Sequence, residues 1–319
     1  MIKSDILKDA AKSRAPSNIV LQILIFLAVF LTVYIAEGIT AGIFIMPDMI
    51  KAMYDSGMMS GESYSFSEMY EFTMSVATSE KAILATLFCT VFGIAFSLIY
   101  CLCIARRPAS SIGMRRKGAI LHYLTGLFTG AVLMAAIVWL AHLSGACRIT
   151  VSPDFNEGII ILFLAGFLIQ GASEEFIFRG YLMTEIGGRH SPVAAIAISS
   201  AVFAAAHCAN PGLTVIAFAN LMLFAVFAGL YMLLTDNIWG VCAIHSIWNF
   251  TQGNLWGIRV SGTGYVESVF HTAQVSSKTW LTGGKFGIEG SIFTTLILTA
   301  ATAIVIILLI KKTRTKPNN

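Results

Sequence analysis

Three short segments of the sequence combine acidic, basic and imidazole side chains at helical spacing: EEFIFR at 174–179, FAAAH at 203–207 and HSIWN at 245–249. A carboxylate and a histidine can together take a proton from water, and histidine and asparagine can donate hydrogen bonds to an oxyanion. Those are the groups needed to hydrolyse an amide bond. The alternative for each histidine alone is a hydrogen-bonded residue in a protein core.

The spacing within EEFIFR separates its adjacent glutamates into two roles. Glu175 and Arg179 are four residues apart, so they are neighbours on one helix face and can form an ion pair. Glu174 lies about 100° around the helix and cannot share that pairing equally. It is therefore the carboxylate left to act on water as a general base. The alternative is an ion pair between helices that only fixes their packing, but a second adjacent glutamate then leaves one charge without a partner.

These ionisable residues are unusual because the sequence around them is typical of a membrane protein. The 319 residues are 56% hydrophobic and 12% charged, with a mean hydropathy of +0.78, which is outside the usual range for a soluble domain. An ionisable residue in a membrane-spanning helix costs roughly 3 kcal/mol, so such residues face the protein interior and are candidates for function. Glu37 in the first apolar segment belongs to this set, but the sequence gives it no role.

Apolar segments of roughly 20 residues predict an all-α membrane bundle of about eight transmembrane helices. The predicted spans are 18–46, 82–104, 119–143, 158–186, 191–209, 213–234, 238–252 and 290–310. With these boundaries Glu174 lies in the cytoplasmic half of its helix and His207 near the opposite end of the next one. The fifth helix must then be tilted, broken or differently bounded for the two side chains to meet.

Clusters of Lys and Arg predict that both termini are cytoplasmic, because loops rich in these residues remain on that side. They lie before the first helix, between the second and third, and after the eighth. The predicted organisation is a cytoplasmic leader at 1–17, a single membrane domain at 18–310 with a catalytic core at about 155–255, and a basic cytoplasmic tail at 311–319. Topology and attraction to anionic lipid explain the basic clusters, so the expected partners include the lipid bilayer and not nucleic acid.

In this order and on separate helices, the three segments resemble the CPBP family, the CAAX protease and bacteriocin-processing proteins also called Abi. This family includes the type II CAAX prenyl endopeptidases. Its pattern is EExxxR, then FxxxH, then HxxxN or HxxxB, and all three elements match. The resemblance implies an intramembrane endopeptidase in a multi-pass protein of the cell membrane. The implied substrate is a membrane-associated peptide or protein, such as a prenylated CAAX peptide or a bacteriocin-like leader.

The resemblance also implies a role for each motif residue. Glu174 corresponds to the family's catalytic glutamate, which acts with His207 to activate water. His245 and Asn249 correspond to its pair of oxyanion-stabilising residues. The two remaining charged residues of the first motif correspond to a supporting ion pair: Glu175 and Arg179.

Members of the family are often described as metalloproteases, yet the resemblance favours a glutamate-activated water and no cofactor. The sequence contains no HExxH, the motif that places two zinc-binding histidines one helical turn apart beside a base. The alternative is a zinc site in which Glu174, His207 and His245 are the ligands, since two histidines and a glutamate are a known zinc set.

Two alternative functions remain open from the sequence. One is a non-catalytic membrane protein, either a bacteriocin self-immunity factor or a scaffold, and the intact set of catalytic residue types counts against it. The other is a proton-coupled transporter that uses Glu37, Glu174 and His207 as a relay. The sequence shows no inverted repeat and no matching pair of broken helices, which counts against a transporter.

Overall fold

A computed structural model describes residues 4–59 and 63–315 of the chain, and within them the fold is an all-α membrane bundle, as predicted. The helices that build it are α1 (Asp5–Ala10), α2 (Ile19–Asp55), α3 (Phe66–Ala77), α4 (Glu80–Ile104), α5 (Ala119–Leu143), α6 (Glu157–Gly187), α7 (Pro192–Ala206), α8 (Val215–Thr235), α9 (Trp239–Phe250) and α10 (Ile292–Thr315). Each predicted span corresponds to one of them. Six are long and apolar enough to cross a membrane, namely α2, α4, α5, α6, α8 and α10, whereas α7 and α9 are shorter.

The core lies between the helices that carry the three motifs. Its largest cluster of buried residues includes aromatic side chains from α6, α7, α8 and α9, such as Phe176, Phe203, Phe224 and Trp248. A smaller cluster joins α4 to α6. The outer helix α2 instead exposes many apolar residues, including Ile43 at 65% exposure, as is expected of a surface that contacts lipid. The motif helices thus form the rigid interior of the bundle.

The acidic segment at 47–80, which lies between the first two predicted spans, contains helical structure. The helix predicted to end at residue 46 continues through Pro47 to Asp55. Pro47 lies inside this helix, where a proline removes one backbone hydrogen bond. Farther along, Ser65 and Glu68 form a capping box that starts α3, because each side chain satisfies a backbone N–H at the helix end.

A two-stranded antiparallel sheet departs from the all-helical expectation. Strand β1 (Cys147–Val151) follows α5 and pairs with β2 (Phe270–Gln274), so that Cys147 lies opposite Gln274. Strands of five residues in polar segments carry too little alternation to be recognised in a sequence. Their pairing ties the long segment between α9 and α10 to the end of α5, which holds that segment against the bundle.

The hairpin of α6 and α7 explains how Glu174 and His207 meet. The two helices are joined by the short turn at 188–191. Glu174 lies 13 residues before Gly187, the last residue of α6, whose stretch Phe176–Met183 is π-helical. His207 lies 15 residues after Pro192, the first residue of α7. The predicted span 191–209 was too long, because α7 ends at Ala206. His207 therefore caps a helix that stops at the depth of Glu174.

Both ends of the described chain meet at one end of the bundle. The Asp236 carboxylate, directly after α8, accepts hydrogen bonds from Ser4 Oγ at 2.6 Å and Lys312 Nζ at 2.9 Å. Residues 311–315 of the predicted tail continue α10, while residues 1–3 and 316–319 lie outside the described residues. The two termini thus share one side of the bundle, and its assignment to the cytoplasm remains a prediction from the basic residues.

The contacts of Asp236 lead to a prediction about the leader helix α1. Burial disfavours the charged form of this carboxyl, but its hydrogen bonds from Ser4 and Lys312 outweigh burial and hold its pKa below the ordinary value. Because the pKa is lower in the folded state, the contribution to docking is complete above about pH 4 and is lost as the pH falls through the depressed value. We expect Asp236→Asn to weaken docking of α1 by about 1.5–3 kcal/mol at neutral pH.

Amide hydrogen exchange across residues 5–10 measures this effect. Asparagine tolerates the left-handed backbone that Asp236 adopts, with φ of 50°, so the variant tests the charge and not the turn. The exposed Asp154→Asn variant serves as the control and should leave exchange in α1 unchanged. Equal protection of α1 in both variants would contradict the prediction.

Candidate active site

The crossing of α6 and α9 is close enough to bring the first and third motifs into contact. Gly171 of α6 lies directly against the backbone of Ser246 in α9, and a Cβ at this position would be only 2.5 Å from the Ser246 nitrogen. Only glycine allows this approach. One turn farther along α6, Glu174 and Glu175 lie beside His245.

The three motifs converge on one oxygen of Glu174. Its Oε2 atom lies 4.0 Å from Nε2 of His207 and 3.7 Å from Nε2 of His245. This oxygen is buried and forms no hydrogen bond with any residue of the described ranges. A buried polar atom is nearly always hydrogen-bonded in a folded protein, so Glu174 Oε2 has capacity for a ligand or substrate.

The opposite nitrogen of each histidine ring is already engaged by an acceptor. His207 Nδ1 lies 2.8 Å from the carbonyl oxygen of Phe203, and His245 Nδ1 lies 2.7 Å from Oε1 of Glu175. A carbonyl or carboxylate oxygen can only accept, so both Nδ1 atoms carry hydrogen and donate. In the neutral state each Nε2 is then an acceptor, and in the protonated state it becomes a donor. Both rings are fixed with Nε2 directed at Glu174.

Glu175 and Arg179 form a buried ion pair behind His245. The Arg179 Nη1 atom lies 3.0 Å from Glu175 Oε1, and the two side chains are 1% and 0% exposed. The guanidinium also stacks over the ring of Phe203, with 4.4 Å between its carbon and the ring centroid. Arg179 therefore links the first motif, to which it belongs, with Phe203 of the second motif. The ion pair holds the Glu175 carboxylate beside His245 Nδ1, which donates a hydrogen bond to it.

Gln170 joins two of the motif residues, and the sequence analysis missed it. Its Nε2 donates to Glu174 Oε1 at 2.5 Å, and its Oε1 accepts from Asn249 Nδ2 at 2.9 Å. It precedes Glu174 by four residues, the spacing at which side chains meet on one helix face. That spacing is the signal that could have identified it. The amide fixes the orientation of the Glu174 carboxylate and leaves Oε2 as its open oxygen.

These residues line a cavity of about 150 Å³. Glu174, His207, His245 and Asn249 all contribute to its wall. Since a water molecule occupies about 30 Å³ of liquid, the cavity has room for several waters or for part of a peptide side chain. Apolar residues complete the wall on several sides, namely Ile83, Leu87, Phe167, Leu221, Phe224, Trp248, Val260 and Leu298. The site can accept an apolar substrate next to polar groups that act on water.

The zinc alternative can be tested against the arrangement of its three proposed ligands. Ligand atoms of a tetrahedral zinc site lie 2.0–2.1 Å from the ion, and therefore about 3.3 Å from one another. Glu174 Oε2 is farther than that from the Nε2 atoms of His207 and His245, at 4.0 and 3.7 Å. Across the described residues, no group of three or more His, Cys, Asp or Glu side chains is arranged to hold a metal ion. The three side chains are therefore farther apart than the ligands of a tetrahedral zinc site.

Glu37, for which no role was predicted, lies near the same site. It is half-buried on α2, and its carboxylate is close enough to Glu174 for the two charges to interact.

Comparison with known families was consistent with the three motifs. A family model described as "Type II CAAX prenyl endopeptidase Rce1-like" matches residues 156–251. The matched segment contains all three motifs and the helices α6 to α9. No curated protein matches the chain. The match confirms the resemblance inferred from the order and spacing of the motifs.

Proposed function

Because this multi-pass membrane protein carries an Rce1-like domain of the type II CAAX prenyl endopeptidases, we propose that it is an intramembrane endopeptidase. It hydrolyses a peptide bond in a membrane-anchored or hydrophobic peptide. The observation that carries this proposal is the convergence of the two Nε2 atoms of His207 and His245 on the unpartnered Oε2 of Glu174.

Glu174 and His207 activate the attacking water in this mechanism. Two acceptors 4.0 Å apart can both receive a hydrogen bond of about 2.8 Å from one water molecule. Glu174 Oε2 takes a proton from that water as the oxygen attacks the peptide carbonyl carbon. Gln170 and the backbone carbonyl of Phe203 keep the two acceptors in place.

His245 and Asn249 stabilise the oxyanion that forms on the former carbonyl oxygen. In its protonated state His245 donates from Nδ1 to Glu175 and from Nε2 into the cavity. One N–H of the Asn249 amide is used by Gln170, and the second is free to donate. Donors preorganised in a water-poor site act on developing charge more strongly than they do in water.

Collapse of the tetrahedral intermediate breaks the C–N bond. Glu174 returns the proton it took from water to the leaving nitrogen, so the products are a carboxylic acid and an amine. The glutamate serves first as base and then as acid, and it ends the cycle ionised. The net reaction consumes one water molecule and no other reactant.

The substrate belongs to one of two classes in this proposal, both of which present a peptide at the membrane. One is the prenylated CAAX peptide, as the name of the matching family indicates. The other is a bacteriocin-like leader peptide. The apolar wall formed by Phe167, Leu221 and Trp248 suits hydrophobic residues beside the scissile bond in either class. The proposed location is the cell membrane.

Cleavage of a reporter peptide library by the purified full chain tests this function. The library includes farnesylated CAAX peptides and unprenylated hydrophobic leaders, and each is assayed with and without a strong chelator. We expect cleavage of at least one class and no loss with the chelator. Failure to cleave any member would leave a non-catalytic immunity or scaffold protein. Loss with the chelator and recovery with zinc would overturn the metal-free mechanism.

The position of Gln170 leads to a further prediction about the rate. Replacing it with leucine removes one hydrogen bond to a carboxylate, which is worth about 1.5–3 kcal/mol. We expect kcat to fall roughly 10- to 100-fold, with KM nearly unchanged. Steady-state kinetics measure kcat and KM separately and so distinguish a loss in the chemical step from a loss of binding. Full kcat in Gln170→Leu would show that the contact has no catalytic effect.

A further inference from the structure

The glycine-rich segment at 283–290, just before α10, contributes one residue, Glu289, to the lining of the cavity. Gly287 has a φ of +105°, and a Cβ there would be 2.0 Å from the carbonyl oxygen of Arg259. Gly283 lies equally close to the backbone at Gly287. Both positions need glycine. This tight packing places the next acidic residue, Glu289, at the surface of the cavity.

Glu289 is held through one of its oxygens. Its Oε2 accepts from the backbone nitrogen of Ser261 at 2.7 Å, from Ser261 Oγ at 2.9 Å and from Gln252 Nε2 at 3.2 Å. Its Oε1 accepts no hydrogen bond from any described residue, and no lysine or arginine of the described ranges forms an ion pair with it. The residue is only 8% exposed. The anchored oxygen leaves the other one for a ligand.

The charge of the cavity also favours a cation. Its lining includes two carboxylates, Glu174 and Glu289, two histidines, His207 and His245, and no lysine or arginine among the described residues. The two carboxylates outnumber the single histidine that the mechanism uses in its protonated state. A carboxylate that is nine-tenths buried without a cationic partner is costly. A positively charged group that enters the cavity would relieve this cost and would be attracted by both acids.

We propose that Glu289 forms a subsite for a lysine or arginine side chain of the peptide substrate. This inference rests on the proposed peptidase function and deepens it. The anchored carboxylate receives the ammonium or guanidinium group on Oε1, while the scissile bond lies at Glu174. A free α-amino group at the peptide's N-terminus carries the same positive charge, and N-acetylated peptides distinguish it from a lysine or arginine side chain.

The test uses N-acetylated reporter peptides that carry lysine, arginine or norleucine in turn at each position around the scissile bond. Norleucine keeps the aliphatic stem of lysine and lacks its charge. We expect the wild-type enzyme to prefer lysine or arginine to norleucine at one position by roughly tenfold or more in kcat/KM. In Glu289→Gln this ratio should fall to within about twofold of one. Glu267→Gln, which changes a carboxylate that does not line the cavity, should keep the wild-type ratio.

Equal rates for lysine and norleucine at every position in the wild-type enzyme would overturn the subsite, and this comparison does not depend on the folding of any variant. A full preference in Glu289→Gln would also overturn it. A preference that appears only when the peptide's N-terminus is left free would assign the cation to the α-amino group and overturn the side-chain subsite. Failure of the wild-type enzyme to cleave any peptide would overturn the peptidase function together with the subsite, whereas cleavage without a preference overturns the subsite alone.

Discussion

Glutamine in place of Glu174 should lower kcat for peptide cleavage roughly 10³-fold, the loss expected when a general base is removed. The two side chains have nearly the same shape, so the cavity and the substrate contacts are preserved. The amide cannot take a proton from water or return one to the leaving nitrogen. Single-turnover cleavage of a reporter peptide measures the chemical step directly, and KM should change little because the lost interaction belongs to the transition state.

The matched control for this variant is Glu267→Gln, which makes the same chemical change outside the cavity. Glu267 accepts a hydrogen bond from the backbone of Asn156 on the surface of the molecule. Its turnover should stay within about twofold of wild type, as for most surface substitutions. A Glu174→Gln enzyme that retained more than a tenth of the wild-type rate would remove this carboxylate from the mechanism.

Methionine in place of Arg179 should destabilise the protein by about 3–5 kcal/mol, the cost of breaking a buried ion pair from one side. The change leaves the fully buried Glu175 carboxylate without its cation and removes the stacking on Phe203. Thermal unfolding of the purified protein in detergent measures the effect as a lower Tm.

A double variant separates the charge from the packing in this prediction. Adding Glu175→Gln to Arg179→Met removes the uncompensated charge, and its amide oxygen can still accept from His245 Nδ1. The double variant should therefore recover at least half of the stability lost by the single one, the coupling expected of contacting residues. A double variant as unstable as Arg179→Met alone would mean that packing on Phe203, and not charge, dominates.

The sequence identified those parts of the site that depend on spacing along one helix. Glu175 and Arg179 pair as i and i+4 neighbours because helical geometry leaves few alternatives. The same rule applies to Gln170 and Glu174. Gln170 was not predicted as a site residue because only ionisable residues in the apolar segments were taken as candidates. The order of the motifs indicated the family resemblance, which the match over residues 156–251 confirms.

Contacts between distant segments could not be predicted in the same way. The placement of Glu289 in the cavity depends on backbone packing between 283–290 and the segment after α9. The pairing of β1 with β2 joins residues more than a hundred positions apart. Neither leaves a periodic signal in a single sequence. The boundary of α7 was predicted three residues too long for a related reason, since apolar composition does not mark where a helix ends inside a membrane.

The lengths of the two arms of the α6–α7 hairpin determine whether Glu174 and His207 meet. Glu174 and His207 meet because they lie at nearly equal distances from one turn, on two arms of the same hairpin. Adding one residue to an α-helical stretch of either arm rotates every side chain beyond it by about 100° and moves it by 1.5 Å, which would separate the pair. Substitutions in the turn at 188–191 leave these two lengths unchanged. The contact between Glu174 and His207 therefore depends on the lengths of the two arms as well as on the two residues themselves.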